Sequence, residues 1–293
     1  GCTLTAQKNR SLSARQFVYK KAHSLLLPWG VYSAFLYLLF CLVNLLPPVR
    51  ALLASSAYQL RQPAEYLWLM LRNENPYGFH LWYLPTLFWF VLTAWLLDKA
   101  LSPAAARAAK LALVVALPVC YQLLFTGWFW AVKSYFQQGA FFFLGCVLPR
   151  EKAEQHAKPL MLFGALCGLW VVWGLLFPTV VWPDGLLAEA VRTWVDYFKV
   201  SGFCVGIWAA CVLLQKPLRR LVPLGQNTML FYLYHQPFCC AVPGIILYDK
   251  LGVSAGGTVL ICGAASLVMP YLFCRLAGRL HLRPLLRRLG LPG

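Results

Sequence analysis

The feature that most constrains this chain is a series of long uncharged blocks separated by short polar stretches. One opens at "YGFHLWYLPTLFWF", residues 77–90, and meets no Asp, Glu, Lys or Arg until Asp98. A helix needs about 20 mostly apolar residues to cross roughly 30 Å of hydrocarbon. Backbone amides in lipid must find partners within the chain, so such blocks fold as helices. Eight are legible, at about 25–46, 80–97, 109–125, 128–148, 159–179, 197–215, 224–247 and 256–274. Of the 293 residues, 60% are hydrophobic and 12% charged, against about half and a quarter in a soluble domain. The expected fold class is all-α, a polytopic membrane helical bundle of about eight transmembrane helices. The longest connection, 47–79, leaves no room for a soluble domain, so residues 1–293 are expected to form a single membrane domain.

The net charge of +17 could signal nucleic acid, but its distribution does not. Lys8, Arg10, Arg15, Lys20 and Lys21 precede the first block, and Lys99, Arg107 and Lys110 follow the second. Arg150, Lys152 and Lys158 follow the fourth, Lys216, Arg219 and Arg220 the sixth, and five arginines from Arg275 to Arg288 close the chain. All these positions share one side. That is the positive-inside bias, and it puts both termini in the cytoplasm. The basic charge is a topology signal, and no nucleic-acid partner is expected. The eleven cysteines fall mostly inside blocks, where cysteine behaves as a small hydrophobe. Without CxxC or Cys/His ligand spacing, neither a metal nor a disulfide framework is expected.

Along 47–79, "PPVR" breaks the first helix because proline lacks a donor and clashes with the preceding turn. "AEYLWLML" is too short to span, and either lies in the interface or tucks back into the bundle. Asn73, Asn75, Pro76 and Gly78 then form a turn.

Ionisable and polar groups at membrane depth are costly, so each is a site candidate. His80, at the outer end of the second block, is either a ligand contact or proton carrier in an outer cavity, or an interfacial histidine beside an aromatic belt that includes Trp82. Lys133 lies one turn into the fourth block, with Gln137 at i+4 on the same face. It either lines a path or snorkels to water. His235 lies in "PLGQNTMLFYLYHQPF", residues 223–238, about 18 Å along the helix at 1.5 Å per residue. Gln226 and Asn227 sit near the start of that helix. Tyr232 and Tyr234 flank the histidine, and Pro237 kinks the helix beyond it. The stretch "SARQFVYKKAHSLLLPW", residues 13–29, serves as a membrane anchor or as contacts to an anionic group such as the phosphates of coenzyme A. No GxSxG, Walker, GxGxxG or HExxH sequence is present.

Three of these stretches together resemble one family, the multi-span acyltransferases of the acyltransferase 3 type, which O-acylate cell-envelope glycans. "RQFVYKKAHSLLLPW" resembles its basic segment and "YGFHLWYLPTL" its His-Leu-Trp-aromatic-Leu motif. "PLGQNTMLFYLYHQPF" resembles its late-span Leu-Gly-x-Asn/Ser-x-x-x-x-Tyr-x-x-His-x-Pro motif. The resemblance implies a ten-span bundle in the intact family, so this chain is expected to begin just after the family's second span, N-terminally truncated. The family's first-span histidine then has no counterpart here. It also implies an O-acyltransferase in the inner (plasma) membrane. The acyl group, acetyl as the expectation, comes from cytoplasmic acyl-CoA (acetyl-CoA). It goes to a hydroxyl of a glycan or lipid-linked sugar acceptor, with membrane lipid as a further partner and no metal. On that reading the first-span histidine is the base of the intact enzyme, and His235 and His80 belong to the catalytic site as supporting polar groups. Trp82, Lys133, Gln137, Gln226, Asn227, Tyr232 and Tyr234 bind substrate, and Lys20 and Lys21 meet the coenzyme A phosphates. Two alternatives stay open: a polytopic transporter or permease for a sugar-linked substrate, and a catalytically inactive membrane bundle.

Overall fold

The computed structural model describes residues 12–53, 59–124, 131–176, 185–217, 219, 232–233, 235, 239–240 and 242–279. All regular structure among them is helical. Six helices are long and apolar enough to cross a membrane: Ala14–Val43, His80–Ala100, Pro103–Tyr121, Ala157–Gly174, Ala188–Leu213 and Ala255–Leu272. The protein is thus a multi-pass membrane protein. Of the other two expected spans, 128–148 is the helix Val132–Val147 of 16 residues, about 24 Å long. Most of 224–247 lies outside the described residues.

The first span begins earlier than its apolar block. Helix α1 runs unbroken over Ala14–Val43, so the basic stretch is itself helical. Nothing in 14–27 is a glycine or proline. Pro28 lies within the helix, and a π-helical turn over Ala22–Leu26 directly precedes it. A proline removes the donor for the carbonyl one turn back, and a π-bulge is a common way to absorb such a defect.

The described residues fall into two compact units. One draws on Arg15–Phe88, Phe129–Ala131 and Val222–Gly293. In it, Pro47 and Pro48 open the short helix α2, Pro47–Leu53, as prolines suit a first turn. Helix α3, Pro63–Leu71, follows. The α3 segment contains the expected "AEYLWLML", and its Tyr66 tucks back against α1. Tyr66 is buried and donates to the Ser33 carbonyl of α1 at 2.8 Å, while Leu67 and Trp68 stay more than half exposed. Stacked rings fill the core here: Tyr37 on Tyr66 at 4.6 Å, Tyr66 on Tyr77 at 5.3 Å and Phe40 on Tyr77 at 4.2 Å.

Helix α3 ends in a Schellman motif. The Glu74 amide donates to the Leu69 carbonyl and the Asn73 amide to the Met70 carbonyl, both at 2.9 Å. Asn73 takes the left-handed conformation this cap requires, with φ 64°, and asparagine tolerates it better than most residues. A 3₁₀ turn, Phe79–Trp82, then leads into helix α4, Tyr83–Ala100.

The second unit draws on Gly1–Ala14, Trp89–Trp128 and Val132–Leu221. It contains the end of α4, α5 (Pro103–Leu124), α6 (Val132–Val147), α7 (Arg150–Gln155), α8 (Ala157–Leu176) and α9 (Leu186–Leu213). Asp98 of α4 and Lys110 of α5 form a buried ion pair at 2.6 Å. Phe90 stacks on Phe142 of α6 at 5.0 Å, and Tyr135 donates to Thr93 at 3.0 Å. Helices α8 and α9 meet backbone to backbone. A Cβ built on Gly164 would stand 2.2 Å from the Gly206 Cα, and one on Gly202 would stand 2.4 Å from the Cys167 sulfur. Small residues let membrane helices approach this closely and gain dispersion contact. The opposite face of α8 carries Leu162, Leu166, Leu169 and Trp173, all exposed. In water that stripe would be a liability, and in a bilayer it is the lipid-facing surface.

Candidate functional site

The first unit brings together the two histidines on which two of the motifs converge. His80 is the second residue of the Phe79–Trp82 turn, at the N-terminal end of the second span. Its ring meets the His235 ring edge-on, with centroids 5.3 Å apart, and the Tyr232 ring at 5.2 Å. Tyr232 donates its hydroxyl to the His80 carbonyl. His235 Nδ1 donates to the Tyr232 carbonyl at 2.9 Å, which fixes the hydrogen on that nitrogen in the neutral ring. Tyr83 closes a further side, its ring 5.9 Å from that of Tyr232.

The imidazole of His80 is 7% exposed. Neither of its ring nitrogens has a hydrogen-bond partner among the described residues. The Leu233 backbone approaches the ring without meeting hydrogen-bond geometry. A buried polar group normally has a partner, and leaving one without costs about 1–3 kcal/mol. An imidazole left so, against a second imidazole, keeps its donor and acceptor capacity unused among the described residues. Neutral imidazole has one donor and one acceptor nitrogen, so it can take a proton from one group and give one to another.

The backbone around His80 is held by the two asparagines of the preceding turn. Asn75, buried, accepts from the Tyr77 and Gly78 amides at 3.0 Å each, and donates to Ser33 Oγ at 3.0 Å and to Tyr66 Oη at 2.9 Å. Asn73 Nδ2 donates to the Trp82 carbonyl at 3.1 Å, which also accepts from Thr86 at 2.7 Å. Gly78 leaves no room for a side chain, since a Cβ there would lie 2.7 Å from Leu81 Cδ1 and 2.8 Å from Leu36 Cδ1. Burial raises the Tyr66 and Tyr77 phenols above their ordinary range.

The remaining candidates are dispersed. Trp82 is half-buried on the same turn, edge-on to Tyr83 at 5.8 Å. Lys20 is exposed and Lys21 half-buried on the first turns of α1, with the Lys21 ammonium 5.8 Å from the Phe17 ring centroid. Lys133 and Gln137 belong to the second unit, on α6, Lys133 exposed and Gln137 half-buried, and Tyr197 of α9 donates to the Gln137 carbonyl. Gln226, Asn227 and Tyr234 lie outside the described residues. The second unit also holds a cleft of about 690 Å³ whose lining includes Gln138, Arg150, Ser201, Cys204 and Trp208. Sequence reasoning missed it, because those residues carry no motif and come from three helices. It also missed Ser33, Tyr66 and the side-chain roles of Asn73 and Asn75. The available signal was the pair of asparagines spaced two apart just before a histidine. Among the described residues no group of three or more His, Cys, Asp or Glu side chains is placed to hold a metal ion.

A family model described as an acyltransferase domain, of the acyltransferase 3 type, matches residues 1–284. No curated protein matches the chain, and no solved structure does.

Proposed function

Since this chain belongs to the acyltransferase 3 family and is a membrane acyltransferase, we propose that it moves an acyl group, acetyl in the simplest case, from acyl-CoA on the cytoplasmic side to a hydroxyl of an envelope glycan or lipid-linked sugar. The observation that carries this reading is the buried His80 imidazole, its nitrogens unpartnered among the described residues, in edge contact with His235. Such a pair is suited to orienting an acceptor hydroxyl and carrying its proton.

In the transfer, the acceptor O–H gives its proton to an imidazole nitrogen as the oxygen forms a bond to the acyl carbonyl carbon. The C–S bond of the thioester then breaks, and the departing coenzyme A thiolate takes up the proton. The net reaction is ester plus free thiol, with no oxidant or metal required. His235 and His80 are the groups proposed for this proton, and Trp82 gives an aromatic face on which a sugar ring can stack. Lys133, Gln137, Gln226, Asn227, Tyr232 and Tyr234 are proposed to line the path of the substrates. Lys20 and Lys21, on the first turns of α1, suit the phosphates of coenzyme A by charge. The charge distribution supports an inner-membrane protein with both ends of this chain in the cytoplasm. Both units are assigned to one acyltransferase domain.

The test is His235→Ala in the native protein. At unchanged expression, acyl transfer is expected to fall at least tenfold, and wild-type activity in that variant would sink the assignment.

A further inference from the structure

His80 sits on a 3₁₀ turn of only four residues. The Leu81 amide bonds to the Gly78 carbonyl at 2.8 Å and the Tyr83 amide to the His80 and Leu81 carbonyls, and side chains add to this from both ends. On the entry side, the Asn75 carbonyl oxygen accepts two successive amides, those of Tyr77 and Gly78. Its amide nitrogen is anchored to Ser33 on α1 and Tyr66 on α3. The Asn75 side chain therefore uses two donors and both acceptor positions, its full capacity, at 3% exposure. On the exit side, Asn73 holds the Trp82 carbonyl. The two asparagines thus grip the turn before and after the histidine.

We infer that Asn73 and Asn75 are positioning residues that clamp the His80 turn so that its imidazole stays buried against His235. Each acts through the backbone on either side of His80. Without the clamp, Gly78 and the turn it precedes lose the partners that set their direction, and the ring is no longer held in a shielded site. The catalytic consequence rests on the acyl-transfer role proposed for His80, whereas the effect on the ring's accessibility does not.

Two variants of the native protein separate these statements. Asn73→Gly keeps the left-handed cap of α3, since glycine suits φ 64°, and removes only the bond to Trp82. Asn75→Ala removes the whole entry-side grip. The accessibility readout is the rate at which diethyl pyrocarbonate modifies His80, followed by peptide mass, with the exposed His156 as internal reference. In both variants the His80 rate relative to His156 is expected to rise at least threefold, and kcat for acyl transfer to fall at least fivefold with a smaller change in KM. An unchanged His80 rate in folded Asn73→Gly or Asn75→Ala protein would overturn the clamp. A raised His80 rate at unchanged kcat would uphold the clamp and overturn instead the catalytic reading of His80.

Discussion

Replacing Gly164 by alanine tests whether α8 and α9 are held by backbone contact. The added Cβ would lie 2.2 Å from the Gly206 Cα, 2.7 Å from its nitrogen and 2.9 Å from the Gly202 carbonyl oxygen. Non-bonded carbons rest at about 3.5–4.0 Å, so the helices must part by roughly 1.5 Å at the crossing. The opposing atoms are backbone, which leaves no rotamer to give way. Overpacking of this kind costs about 1–3 kcal/mol, while exchanging glycine for alanine within a helix returns about 1 kcal/mol. The expected net loss is about 0–2 kcal/mol, with repacking of the Cys167–Gly202 and Gly168–Phe203 contacts adding to it. Gly174 supplies the control. It lies on the same helix with nothing within 4 Å of its would-be Cβ, so Gly174→Ala is expected to be neutral or stabilising by up to about 1 kcal/mol. Equilibrium unfolding in mixed micelles against the mole fraction of SDS measures both. The same substitution should change sign between two positions ten residues apart. If Gly164→Ala proved as stable as the parent, the close approach would be no part of what holds these helices.

Asp98→Asn would strand the Lys110 charge in its buried site, and is expected to cost about 3–5 kcal/mol. The same unfolding assay should show most of that loss recovered on adding Lys110→Met. Burial raises the phenols of Tyr66 and Tyr77 from an ordinary 10.0, so the folded state keeps their protons where the unfolded chain releases them. Their contribution to stability is complete below about pH 10 and declines as pH climbs above it. Thermal melts between pH 9 and 11 should show that decline, and it should be shallower in Tyr66→Phe.

Much of the helical framework is legible in the sequence because it is a property of composition over long windows. The second, third, fifth, sixth and eighth expected spans each overlap a helix long enough to cross. The start of α1 was not legible, since hydropathy marks where a helix enters lipid and not where it begins. Lys20 and Lys21 satisfy the helical backbone as well as Leu25 does. The fourth block read as a full span because its aromatics are apolar, yet the helix there starts only at Val132, directly after Ala131 with φ 64°. For the site, the motifs singled out His80 and His235 separately. That their rings meet depends on packing across 155 positions of sequence, on which no local pattern reports. The asparagines read as turn formers, which they are. Their grip on Tyr77, Gly78 and Trp82 depended on where Ser33 and Tyr66 end up, and neither residue has anything unusual about its own neighbourhood in the chain.

The unbroken α1 has a mechanical consequence. At 1.5 Å per residue its 30 residues measure about 45 Å, longer than the roughly 30 Å of hydrocarbon. Ser33, which receives the Asn75 amide, stands twelve positions along that rod from Lys21, or about 18 Å. A tilt of the basic end is therefore a displacement of the Asn75 anchor. Between the two lies the π-helical turn before Pro28, a local departure from α-helical bonding that any movement at Lys20 and Lys21 must cross to reach the histidine turn.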